Sequence, residues 1–115
     1  MSRVGEDLPN PPIVMLVQAL VLHPGVQAIV LVSGRDESAR AATLAWLSRM
    51  NVPFDSLIMR AVGDGRPDSI VKREILEECI VRDYSVLGVI DDRASVVEMW
   101  RSLGLTCLQV APGDF

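Results

Sequence analysis

The sequence predicts an α/β domain: an open parallel sheet covered by helices on both faces. Three observations lead there. Helix-spaced apolar segments and short continuous apolar runs alternate along the chain. The continuous runs do not alternate polar with apolar, which suits strands covered on both sides. Half of the 115 residues are apolar and mean hydropathy is +0.31, enough for one modest core and outside the composition of a disordered chain.

Residues 1–9 are polar and irregular, and the domain is expected over residues 10–115. Asn10-Pro11-Pro12 starts a helix, with asparagine as cap and proline in the first turn. Ile13, Leu16, Val17, Leu20 and Val21 give it an apolar face, and His23-Pro24-Gly25 stops it. Val26–Val32 reads as a buried parallel strand ending in Ser33-Gly34-Arg35. A second helix runs from about Glu37 to Met50, with Leu44, Trp46 and Leu47 among its apolar positions, until Asn51 and Pro53 end it.

Leu57-Ile58-Met59 is a short strand, followed by a Gly63-Asp64-Gly65 loop. Pro67 opens a third helix that reaches about Val81, with Ile70, Val71, Ile75, Leu76 and Ile80 on its buried face. Val86–Ile90 is a strand, residues 94–103 a helix stopped by Gly104, and Leu105–Val110 a last strand before Pro112-Gly113.

Composition excludes some functions. The apolar runs fall short of the roughly 20 residues a membrane-spanning helix needs, and no signal-peptide pattern opens the chain, so a cytoplasmic protein without a membrane partner is expected. Cys79 and Cys107 sit in apolar stretches with no Cys/His cluster for zinc, and read as reduced core residues. His23, the single histidine, reads as a helix-end residue rather than a base. The formal charge of −4 does not draw the chain onto nucleic acid. Any such contact rests on a local set of Arg35, Arg60, Arg66, Lys72 and Arg93.

Ligands of open α/β sheets bind beyond the carboxyl ends of the strands. Ser33-Gly34-Arg35 and Asp91-Asp92-Arg93 both follow strands, so both are expected at one sheet edge. The first offers a hydroxyl, backbone N–H groups and a guanidinium to a phosphate; its plainer reading is a helix cap and a turn. The second pairs carboxylates that suit Mg²⁺; its plainer reading is the first turn of a helix. Asp68 and Lys72, four apart on one helix, share a face, either as a surface pair or as a lysine held by its carboxylate and aimed at a phosphate.

Taken in order, Val32-Ser33-Gly34-Arg35, Leu57–Arg60, Gly63–Asp68, Val71–Ile75, Val89–Arg93, Val96–Trp100 and Gly104 to Phe115 form a pattern. It resembles the haloacid dehalogenase-type (HAD) phosphatase domain of phage-type polynucleotide kinase/3′-phosphatase, from about Pro9 to the C-terminus. The resemblance implies a HAD-like Rossmannoid fold and a Mg²⁺-dependent phosphomonoester hydrolase acting on a 3′-phosphorylated nucleic acid end. It implies that Ser33 holds a phosphoryl oxygen and Arg35 the substrate phosphate, with Gly34 in the turn. The resemblance further implies that Lys72 neutralises nucleophile and phosphoryl group, that Asp68 orients Lys72, and that Asp91 and Asp92 hold Mg²⁺. Arg60 and Arg66 line the polynucleotide path.

Members of that family begin with a strand ending in Asp-x-Asp, whose aspartates serve as nucleophile and as general acid and base. The 115 residues contain no Asp-x-Asp, and no Gly-x-x-x-x-Gly-Lys-Ser/Thr loop of a kinase. The resemblance places the missing strand centrally, so the sheet is expected to be truncated, and an upstream segment, a homo-oligomer or a second chain is a candidate to complete it. The chain is therefore expected to be inactive alone; the alternative is a non-catalytic relic that binds phosphate or a protein partner. A receiver domain is excluded, because Asp91-Asp92 fall too late in the chain.

Overall fold

Proline at the first turn of a helix gives up only an N–H that has no partner there, and Pro11 and Pro12 accordingly open α1 (Pro11–Leu22) in the computed structural model, which describes residues 11–111. The expected irregular segment 1–9, the Asn10 cap and the Pro112-Gly113 stop lie outside the described residues. The chain divides into two compact units, one ending at Asp64 and the other beginning at Gly65. Each contains a parallel strand–helix–strand crossover, so the α/β class and the parallel pairing predicted from sequence are observed, as short parallel sheets flanked by helices.

In the first unit, β1 (Val30–Asp36) pairs in parallel with β2 (Ser56–Arg60) across the crossover helix α2 (Arg40–Arg49). The first strand begins at Val30 rather than Val26. Asp55 sets that start: its carboxylate accepts the Ile29 N–H (2.6 Å) and its own N–H donates to the Ile29 carbonyl (2.8 Å). Residues before Ile29 have no opposite strand to pair with. Leu57 and Met59 of β2 alternate inward and pack with Trp46 and Leu47 of α2, while Leu44 is exposed.

A 3₁₀ turn (Glu37–Ala39) precedes α2, so the continuous helix expected from Glu37 is broken at its start. Asp36 caps that turn, accepting the Ser38 N–H and hydroxyl. Helix α2 ends in a Schellman motif: Val52 N–H reaches Leu47 O (3.1 Å), Asn51 N–H reaches Ser48 O (3.2 Å), and Asn51 takes φ +55°. Helix α1 keeps Ile13, Val17 and Leu20 of its expected apolar face half-buried, while Leu16 and Val21 of that face, with Met15 and Leu22, are exposed and none of its residues is fully buried. Among the described residues no helix is long and apolar enough to cross a membrane.

In the second unit, α3 (Asp68–Ile75) continues into a π turn (Leu76–Ile80), marked by Val81 N–H on Leu76 O. Its inward stripe is Asp68, Val71, Lys72, Ile75 and Leu76, the spacing of one helix face. Ile70 was expected on that face and is exposed instead, because two residues beyond Asp68 is about 200° around the helix.

Strands β3 (Val89–Asp91) and β4 (Cys107–Gln109) pair in parallel across α4 (Ala94–Ser102). Both are shorter than the apolar runs that predicted them, since the ladder extends only where the two runs lie opposite. Helix α4 buries Val96, Val97 and Trp100 and ends as α2 does, with Leu105 N–H on Trp100 O and Gly104 at φ +83°. Cys107 is buried as expected, whereas Cys79, on the outer side of the π turn, is exposed; both are free thiols.

Candidate functional site

In the first unit, the predicted phosphate-holding residues gather at the end of β1. Ser33 is buried, and its Oγ accepts the Arg35 N–H (3.1 Å), bending the strand. Pairing jumps from Ser33↔Met59 to Asp36↔Arg60, so Gly34 and Arg35 stand outside the ladder as a bulge. The Ser33 hydroxyl therefore shapes the turn through its lone pair, a bond that does not use its proton. It does not cap the next helix; Asp36 takes that role.

Arg60 braces the same bulge, donating from Nε to the Gly34 carbonyl (2.8 Å) and from Nη1 to the Asp64 carbonyl (2.8 Å). An open depression of about 350 Å³ is lined by Gly34, Arg35, Asp36, Ser38, Ala39 and Arg60. Arg35 and Arg60 bring positive charge to it, and the Asp36 carboxylate stands in the same lining.

The second unit holds the predicted lysine and acids. Lys72 is 1 % exposed, and its Nζ donates to Asp91 Oδ2 at 3.1 Å. The indole Nε1 of Trp100 donates to the same oxygen (3.2 Å), and the Asp92 N–H donates to Asp91 Oδ1 (2.8 Å). Burial pushes the Asp91 carboxyl up; the Lys72 ammonium beside it, with the two N–H donors, outweighs that and holds it below the ordinary carboxylate value.

Lys72 thus meets a carboxylate across the unit. Asp68, expected to orient it, is itself engaged by Arg93 Nη1 (3.1 Å). The i,i+4 spacing allowed an Asp68–Lys72 pair, but Lys72 lies buried against the end of β3, where Asp91 is the acid within reach. Arg66 forms a surface pair with Glu74 (2.8 Å).

Among the described residues no cluster of three or more His, Cys, Asp or Glu could hold a metal. Mg²⁺ is content with one or two carboxylates plus water and phosphate oxygens, and the tandem acids retain capacity for it. Asp92 Oδ1 is buried without a hydrogen-bond partner, an acceptor that a cation or its water would satisfy. Asp91 Oδ1 has a second lone pair beyond the one its neighbour uses. A larger groove of about 590 Å³ contains Glu74, Glu77, Glu78 and Glu98 and none of the predicted site residues; its acids disfavour a phosphate.

Sequence reasoning passed over Trp100 and left Arg93 without a defined role. A tryptophan on the inward stripe of the helix after the acid pair is the signal that could have found the first.

Two parallel strand–helix–strand crossovers, one bulged after Ser33 and one with a buried lysine–aspartate pair at a strand end, belong to the class of HAD-type phosphatase domains. The chain belongs to the family described as the polynucleotide kinase PNKP phosphatase domain, whose model matches residues 1–115. It is 30% identical over 104 residues to a protein named for a bifunctional polynucleotide kinase/RNA ligase, from Autographa californica nuclear polyhedrosis virus. That match covers 89% of this chain and 15% of the viral protein. A chain in the structure of the Pnkp1/Rnl/Hen1 RNA repair complex is 38% identical, with a TM-score of 0.89 over 96% of this chain and 35% of that one. A second structure of a Pnkp1/Rnl/Hen1 complex gives 38% identity and a TM-score of 0.87, over 96% of this chain and 38% of its counterpart. The chain therefore spans well under half the length of these relatives.

Proposed function

We propose that this chain is the phosphate- and metal-holding part of a Mg²⁺-dependent phosphatase acting on 3′-phosphorylated polynucleotide ends. The observation that carries the reading is the buried Lys72–Asp91 pair beside the partnerless Asp92 Oδ1. A buried ion pair contributes little to stability compared with apolar packing, so its retention next to an unsatisfied acid is better explained by chemistry.

In this reading Ser33 donates its hydroxyl proton to a phosphoryl oxygen and Arg35 binds the phosphate by its guanidinium. Gly34 and Arg60 hold the bulge in shape. Lys72 offsets the charge on the phosphoryl group and on the attacking carboxylate. Asp68 acts through Arg93, and Arg66 lies along the polynucleotide path. Asp91 and Asp92 would hold Mg²⁺, which when bound neutralises phosphoryl oxygens and helps orient them.

The nucleophile and the general acid–base come from an Asp-x-Asp segment that the 115 residues do not contain. The general acid–base function alone is worth about 10²–10⁴ in rate, so the isolated chain is expected to bind but not turn over. That segment belongs either to a part of the protein upstream of these residues or to a partner chain, and the exposed Met15, Leu16, Val21 and Leu22 of α1 offer an apolar surface to a neighbour. The RNA-repair assemblies of the structural relatives support the same reading.

Calorimetric titration of the chain with Mg²⁺ and a 3′-phosphorylated oligonucleotide tests the proposal, alongside a phosphate-release assay. Binding that is lost in Ser33→Ala and in Lys72→Met, without release, is the expected result. Release abolished by Asp91→Asn would place the nucleophile within these residues. No heat at millimolar ligand would end the phosphate reading and leave a protein-interaction module.

A further inference from the structure

Trp100 occupies the inward stripe of α4 with Val96 and Val97 and is 3 % exposed. Its indole N–H can only donate, and it donates to Asp91 Oδ2 at 3.2 Å, the oxygen that Lys72 reaches at 3.1 Å. A buried tryptophan needs some acceptor, and a backbone carbonyl would serve. Here the acceptor is the one carboxylate already bound to the buried lysine, with its other oxygen tied to the Asp92 N–H (2.8 Å).

Three donors on two oxygens leave that carboxylate no freedom to rotate. We propose that Trp100 is a positioning residue: its indole N–H and the Lys72 ammonium pin Asp91 Oδ2, so that the remaining lone pair of Asp91 Oδ1 is presented in one fixed direction. The inference deepens the phosphatase reading and rests on it for one consequence, the affinity for Mg²⁺; the pinning itself stands apart from it.

Phe replaces Trp100 with an aromatic ring of similar burial and no N–H, so Trp100→Phe is the decisive variant. It is expected to shift the ¹³C resonance of the Asp91 carboxyl carbon. In the converse experiment, Asp91→Asn is expected to move the Trp100 indole ¹H–¹⁵N resonance and leave that of Trp46 in place. A packing role alone would shift both through the altered ring current and leave the Mg²⁺ affinity unchanged. Should Asp91→Asn not fold, the carboxyl resonance in Trp100→Phe decides: unmoved, it overturns the proposal.

Removing a group that orients a metal ligand typically weakens binding about tenfold or more, and Trp100→Phe is expected to raise the Mg²⁺ dissociation constant by at least about tenfold. Unchanged Mg²⁺ affinity in a variant whose Asp91 resonance has moved would overturn the positioning role. A wild-type chain that binds no Mg²⁺ would instead sink the metal reading, with the pinning judged by the carboxyl resonance alone.

Discussion

The two strand–helix–strand halves, β1–α2–β2 and β3–α4–β4, share a plan and differ in what they bury. Each has a parallel pair, a crossover helix with an inward tryptophan, and a Schellman ending. In the first, Trp46 sits among Leu47, Leu57 and Met59, an apolar cluster, with the buried Thr43 on the same helix and the buried Ser33 at the bulge. In the second, the equivalent face holds Trp100 against a lysine and an aspartate. One architecture therefore accommodates an apolar cluster alone or an apolar cluster with a buried ion pair set into it. Both halves are held by apolar burial, and the second adds a buried charged group whose members depend on one another.

The largest effect expected to break this contrast comes from Lys72→Met. It leaves Asp91 buried without its ammonium, and breaking such a pair costs about 3–5 kcal/mol, to be read from chemical denaturation. The double variant Lys72→Met/Asp91→Leu should recover most of that loss, since replacing both charges removes the desolvation cost. In the apolar half, Leu47→Ala should cost about 2–5 kcal/mol by leaving a cavity, and its cost should be unaffected by the charge variants.

The helix endings sharpen the comparison at smaller scale. Gly104 takes φ +83° with open space where a Cβ would stand, so Gly104→Ala should cost about 1–2 kcal/mol from backbone strain alone. Asn51→Gly, at φ +55°, should be neutral or slightly stabilising, because glycine removes the same strain. Equal costs for both would show that the endings are not the same device.

Acid should separate the halves as well. The folded Asp91 carboxyl titrates below its ordinary value of 3.8, so above that pH its contribution is complete. As pH falls below 3.8 toward the folded value, the unfolded chain takes up the proton first and stability declines. Thermal unfolding across that window should show a shallower decline in Lys72→Met, whose Asp91 has lost its main reason to stay ionised. An equal slope in both proteins would assign the acid sensitivity elsewhere.

Much of this was legible beforehand. Apolar runs and their punctuation located four strands and four helices, and the residues at strand ends, Ser33 to Arg35 and Asp91 to Arg93, marked the chemistry. Boundaries were less legible, as at Val26–Ile29, where an apolar run lacks a neighbour to pair with. The partial exposure of α1 was illegible for a related reason: periodicity says which residues could be buried, not how far they are covered.

Sequence by itself determined the family, the alternation of elements and which side chains carry charge and hydroxyl. Only the tertiary structure decided that Lys72 takes Asp91, that Asp68 takes Arg93, and that Trp100 joins the pair. The reason is that helical spacing offers a lysine several acids, and selection among them follows from which one shares its desolvated space. That space is formed by residues far apart in the chain, and no local pattern encodes it.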